Sequence, residues 1–240
     1  MKKFRLSGDV VNDEYAWIYE YFGDSYISPS LVGRYLEEAG GEEITFTINS
    51  GGGSVFSASE IYSMMKSYPN RIIAEIHGLS ASAASVISMG ADTVKISPTG
   101  MLMIHNVSTY CEGDFNEMEK TAGILKNLNK TIANAYILKT GLSEEEVLDL
   151  MDKETWLEAE QALEKGFADE ILFNDDKILG FSNIDLKHAF SNKAGIPQNL
   201  IDRLNTIVES HNKKVDERHR AGLLDQAKER FSNLKNGGKV

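Results

Sequence analysis

Between residues 43 and 49 the chain reads Glu-Ile-Thr-Phe-Thr-Ile-Asn, apolar at every second position, the pattern of a strand with one buried face. Residues 71–77, 91–96 and 101–105 are further β-rich runs, and residues 4–11 predict a short edge strand. The period changes elsewhere. Phe115, Met118, Ala122, Leu125, Leu128, Ile132 and Ala135 step by three and four, which predicts one long helix over 114–139. Residues 30–38 predict a helix with Leu31, Tyr35 and Leu36 on one face and Ser28 or Ser30 as cap. Helices are also expected over 54–65, over 143–151 with a capping-box spacing from Ser143 to Glu146, and over 158–165, stopped by Gly166. Residues 12–29, polar and aromatic, are expected to be irregular. Residues 154–157 form a short extended link, and 167–173 return to the sheet. Strands alternating with helices up to residue 173 imply an α/β layered fold. Beyond Ser182 the chain turns polar, with helices suggested over 197–209 and 216–234. The expected division is therefore a domain over 1–182 and a mostly helical C-terminal appendage over 183–240.

Composition narrows the class. A chain of 240 residues, 42% hydrophobic, has room for one large domain or a domain with an appendage. No apolar run is long enough for a membrane helix. Met1-Lys2-Lys3 is basic but no apolar stretch follows, so no signal peptide is expected and the reading is cytoplasmic. The single Cys111 excludes an internal disulfide, and the five histidines form no His-x-x-x-His pair, so neither metal nor cofactor is expected. A net charge of −11 argues against a nucleic-acid partner. That charge is divided: the residues after Asp185 hold 11 Lys/Arg and 6 Asp/Glu, a net of +5, leaving −16 for the rest.

Two stretches carry candidate chemistry. In Ile76-His-Gly-Leu-Ser-Ala-Ser-Ala-Ala-Ser-Val-Ile, a strand runs through Gly78 into small residues bearing Ser80, Ser82 and Ser85. A serine at such a turn stands at a helix N-terminus, where free N–H groups and the helix dipole stabilise negative charge. A small-residue helix packed on a sheet, with its serines bonded to backbone, fits the same letters. In Ile48-Asn-Ser-Gly-Gly-Gly-Ser-Val55, three glycines between strand and helix allow close backbone approach. The segment lacks a P-loop lysine and dinucleotide spacing, which leaves an anion-binding turn or a plain connection. His105 ends an apolar strand about one βαβ unit after the serines. His77 is the rival base.

Taken together, "INSGGGSV", "GLSASAAS", "MLMIHN" and "ETWLEAEQALEKGFADEI" resemble the Clp protease proteolytic-subunit family, in order and spacing over roughly residues 3–173. "ASAASVI" and the "KTGLSEEEV" to Trp156 stretch resemble its branch in tailed phages and prophages, the head maturation (prohead) proteases. The resemblance implies a Clp/crotonase-like repeated β-β-α layered fold with a long handle helix. It places the nucleophile on Ser82, with Ser80 and Ser85 outside the match, and the general base on His105. The acid falls on Glu154, where the family's housekeeping members have Asp; Asp152 is the rival. The oxyanion hole falls on the N–H groups of Gly53 and Ala83. Gly51 stands where the family has Pro, which removes no donor.

The implied function is a serine endopeptidase, with a substrate peptide held as an added strand along Gly51, Gly52 and Ser54. Protein substrates, capsid or scaffold proteins among them, and a ring-shaped homo-oligomer are the implied partners. The housekeeping subunits carry an N-terminal gating segment ahead of the first strand, so a start at Phe4 implies ATP-independent action without an ATPase partner. The alternatives are a crotonase-like acyl-CoA enzyme, which shares oxyanion turns but no triad, and a non-catalytic capsid-assembly scaffold.

Overall fold

Strands β1 (Lys2–Val10), β3 (Ile44–Gly53), β4 (Ile72–Ala81) and β5 (Thr93–Ile96) form the parallel centre of a sheet, as the β-rich runs predict. The computed structural model describes residues 1–173; the expected tail helices over 197–209 and 216–234, and the appendage over 183–240, lie outside the described residues. Of the eight strands among the described residues, six run in the order β2-β1-β3-β4-β5-β8, with β2 (Tyr26–Ile27) outside β1 and β8 (Glu170–Ile171) outside β5. β6 (Met101–Ile104) pairs parallel with β4 and antiparallel with β7 (Thr155–Glu158). The first strand is thus one place in from the edge, because the two-residue β2 covers its outer side.

Among the described residues seven helices cover the sheet. They are α1 (Asp13–Phe22), α2 (Pro29–Ala39), α3 (Val55–Lys66), α4 (Ala83–Met89), α5 (Phe115–Thr140), α6 (Glu144–Asp152) and α7 (Ala159–Glu164). The mixed α/β class and the long helix follow the sequence reading. Helix α1 departs from it: residues 12–29 hold a helix where an irregular segment was expected. Asp13 and Glu14 in its first turn favour the N-terminus, and Gly23, left-handed at φ 70, closes it. Only Ile18 and Tyr19 of α1 are buried, while Trp17 and Tyr21 are exposed, so it lacks a readable apolar stripe.

Caps set several of the other starts. Ser28 accepts from the Leu31 N–H ahead of α2, and Asp114 accepts from the Asn116 and Glu117 N–H groups ahead of α5. Both halves of the Ser143–Glu146 capping box are formed.

Ile44, Phe46 and Ile48 of β3 lie in register with Ile72, Ala74 and Ile76 of β4, and all six are buried. Two steps along β3, from Ile48 to Ser50, then match four along β4, from Ile76 to Ser80. This bulge, at Gly78, divides β4: its first half pairs with β5 and its second with β6. A Cβ on Gly78 would stand 2.6 Å from Asn49 Oδ1, which accepts the Leu79 N–H at 3.0 Å. A side chain at position 78 would push the Asn49 amide away from the Leu79 N–H. The bulge carries the end of β4 out of line with β5 and delivers Ser82 to the mouth between β3 and β6. No helix among the described residues is long and apolar enough to cross a membrane.

Candidate active site

Ser82 is the hinge between β4 and α4. Its backbone sits at φ 53, ψ −125, a conformation that costs a non-glycine residue about 1–3 kcal/mol and persists only where the surroundings fix it. They do so here. The Ser82 N–H donates to the Met103 carbonyl at 2.9 Å, and its carbonyl accepts from the Ser85 N–H at 3.0 Å. All seven residues of α4 are buried, so the helix cannot shift without opening the core.

The neighbouring glycines belong to the same assembly. A Cβ on Gly52 would approach the Ala81 carbonyl oxygen and Ser82 Cβ at 2.7 Å and the Ala83 nitrogen at 3.0 Å. The triple-glycine turn thus lies directly against the serine turn, which explains the requirement for glycine at position 52, φ 101. Gly53, at φ 144, abuts the Val10 backbone, and Gly51 faces open space. Ser54 is engaged as the cap of α3, accepting from the Ser57 N–H and donating to Asn12 Oδ1 at 2.7 Å.

Of the three serines, one meets a base. His105 Nε2 and Ser82 Oγ stand 2.8 Å apart, the distance at which a serine hydroxyl donates to a neutral imidazole. Ser80 is fully buried and bonded to Ser88 Oγ at 2.8 Å. Ser85 Oγ donates to the Ser82 carbonyl at 2.6 Å and meets Tyr136 Oη at 2.8 Å. His77 is exposed and faces Glu75 at 3.3 Å.

Burial pushes the His105 pKa below its ordinary value, and the negative charge of Glu154 opposes that shift. The imidazole is therefore neutral at neutral pH and able to accept a proton. Glu154 is exposed, with a left-handed backbone at φ 48 just before β7, and accepts weakly from Trp156 Nε1 at 3.4 Å. Among the described residues no hydrogen bond joins its carboxylate to His105, so its influence is through charge. The rival Asp152 is held elsewhere: its Oδ1 accepts from Asn106 Nδ2 at 2.6 Å. Among the described residues no group of three or more His, Cys, Asp or Glu stands together as a metal site.

Three partners of this assembly escaped the sequence reading: Asn49, Asn106 and Tyr136. Asn49 has a signal of sorts, lying beside the triple glycine. Tyr136 is 51 positions from Ser85 and reads only as a buried face of α5.

A serine hydroxyl against an imidazole, with a carboxylate's charge acting on the ring and a glycine turn pressed on the serine turn, is an arrangement suited to covalent acyl transfer. The comparisons with known proteins agree with that chemistry. A model of the family described as Clp protease matches residues 28–175. The ATP-dependent Clp protease proteolytic subunit 1 of Chlamydia abortus is 31% identical over 145 residues, 58% of this chain and 76% of that protein. Subunit 2 of Thermobifida fusca is 31% identical over 162 residues, 65% of this chain and 80% of its own length. The corresponding subunit of Bacteroides fragilis is 30% identical over 154 residues, 62% and 74% of the two chains. On the family match and these identities, the chain belongs to the Clp protease family and is a serine-type peptidase.

Proposed function

We propose that Ser82, His105 and Glu154 hydrolyse peptide bonds by an acyl-enzyme route. The observation that carries this reading is the 2.8 Å contact between Ser82 Oγ and His105 Nε2. His105 takes the hydroxyl proton as Ser82 attacks the scissile carbonyl, then passes it to the departing amine. Water, activated by the same imidazole, releases the acyl group. Glu154 stabilises the imidazolium formed in between, which its charge already favours. The N–H groups of Ala83, at the first position of α4, and of Gly53 stabilise the tetrahedral oxyanion. The substrate backbone lies as an added strand along Gly51 and Gly52, where pairing through main-chain groups tolerates varied side chains. Ser54 shapes this segment as a helix cap.

The finer reading is a head maturation protease that trims capsid or scaffold proteins in the host cytoplasm. It is supported by the resemblance of the Ser82 and 139–156 stretches to the phage branch, and by the +5 charge after Asp185 set against an acidic body. The relatives are named as subunits of ATP-dependent proteases. Turnover of protein substrate without ATP therefore belongs to this finer reading. The test is hydrolysis of a fluorogenic peptide, of casein and of a co-expressed capsid or scaffold protein, with and without ATP. Loss of peptide hydrolysis in Ser82→Ala is expected, together with processing of the shell protein without nucleotide. Peptide cleavage with an untouched shell protein would keep the peptidase and discard the maturation role.

A further inference from the structure

The Ser82 carbonyl receives the backbone N–H and the side-chain O–H of Ser85, at 3.0 and 2.6 Å. A serine hydroxyl has one proton. Since Ser85 Oγ spends it on that carbonyl, the 2.8 Å contact with Tyr136 is one in which the phenol donates. The chain of bonds thus has one direction, from Tyr136 O–H to Ser85 Oγ and from Ser85 O–H to the Ser82 C=O. Tyr136 is fully buried on α5, its ring 5.9 Å from that of Phe167, and burial raises its pKa, so the donor proton persists at any working pH.

The carbonyl they hold has a particular neighbour. The Ser82 C=O and the Ala83 N–H share one planar trans peptide and point in opposite directions. Fixing one aims the other. Donors gathered on a carbonyl also polarise its peptide and strengthen the N–H as a donor. The plane needs such fixing, because Ser82 is held in a strained conformation.

We propose that Ser85 and Tyr136 are positioning residues for the oxyanion hole, orienting the Ala83 N–H through a directed hydroxyl chain onto the Ser82 carbonyl. The inference rests on the serine-peptidase reading of Ser82 and Ala83. It ties the aim of the oxyanion donor to the long helix α5, and it gives Ser85, which the resemblance does not place at the nucleophile, a task in turnover.

The test uses the full chain and a fluorogenic peptide, with kcat counted per site titrated by a fluorophosphonate. Tyr136→Phe keeps the ring and removes only the hydroxyl. It is expected to lower kcat about tenfold, less than the roughly 10²–10³ of losing an oxyanion donor outright, because the donor is misaimed rather than absent. KM and the acid limb of the pH profile, set by His105, should stay in place. Ser85→Ala should lower kcat at least as far, Ser85→Thr should recover most of it, and Ser85→Ala with Tyr136→Phe should be no slower than Ser85→Ala alone. Wild-type kcat in Tyr136→Phe, multiplicative losses in the double variant, or no recovery with Thr would overturn the proposal. Ser82→Ala separates the two readings. If it still hydrolyses peptide, the serine-peptidase site itself is wrong; if it is inactive while Tyr136→Phe is unimpaired, only the relay is wrong.

Discussion

Ser82 is set apart from its neighbouring serines by the company it keeps. Ser80 and Ser85 have the same hydroxyl, but one is sealed against Ser88 and the other spent on a carbonyl, while Ser82 alone meets an imidazole. Ser82→Ala should therefore reduce peptide hydrolysis by on the order of 10³–10⁶, measured as kcat in purified protein. The two carboxylates separate in the same way. Glu154→Gln should cost on the order of 10² or more in kcat, because the imidazolium loses its counter-charge. Asp152→Asn, which touches Asn106, should stay within about threefold, as surface changes usually do. The pH profile gives a sign as well. Burial lowers the His105 pKa and Glu154 raises it, so Glu154→Gln should move the acid limb of kcat/KM to lower pH while reducing its plateau. An acid limb that moves up, or equal losses for both carboxylates, would remove Glu154 from the role. The pairing of Ser82 with His105 was legible in the sequence because each follows a strand inside a local motif. For the acid, the resemblance pointed to Glu154 with Asp152 as rival, and the bond that engages Asp152, from Asn106 46 positions away, was not legible. Tyr136 was hidden for the same reason: nothing in an apolar helical face marks where its hydroxyl points.

At the scale of elements, the site is a junction of strand ends. β3 and β4 run parallel until Gly78 breaks their register, and the Gly-rich end of β3 then closes on the turn after β4. Gly52→Ala should destabilise the protein by about 1–3 kcal/mol and depress activity, since the new Cβ meets the Ala81 carbonyl at 2.7 Å at φ 101. Gly51→Ala, next door, meets nothing within 4 Å and should melt within a few degrees of wild type. Equal melting temperatures for both, read by circular dichroism, would contradict the packing described. Strands and most helices were readable because alternation, three-four stepping and caps agreed with one another. Helix α1 was not, because its aromatic residues are split between the core and the surface. The small-residue helix α4 was readable as a buried helix, because its run of small and apolar residues has no polar face to offer to water.

At the scale of the molecule, the long helix α5 is the least self-sufficient part. At roughly 1.5 Å per residue its 26 residues span about 39 Å, and its buried residues are confined to positions 132–136. Phe115, Met118 and Ile124 on its earlier turns are exposed. We propose that a second copy of the chain covers them in a ring-forming assembly, and light scattering should report a mass several times that of one chain. A stable monomer at micromolar concentration would refute this. The charge division suggests a second experiment. Without the basic segment, a chain ending at Asp185 should fold and cleave a small peptide but fail to process its protein target. If the shortened chain unfolds, the segment belongs to the core and the targeting role fails.

The central claim is that Ser82, activated by His105, is the nucleophile of a peptidase. Its most direct test is labelling with a fluorophosphonate probe, followed by mass spectrometry of the modified peptide. The predicted result is a single adduct on Ser82 that is lost in Ser82→Ala and strongly slowed in His105→Ala. An adduct on Ser80 or Ser85, or labelling indifferent to His105, would contradict it.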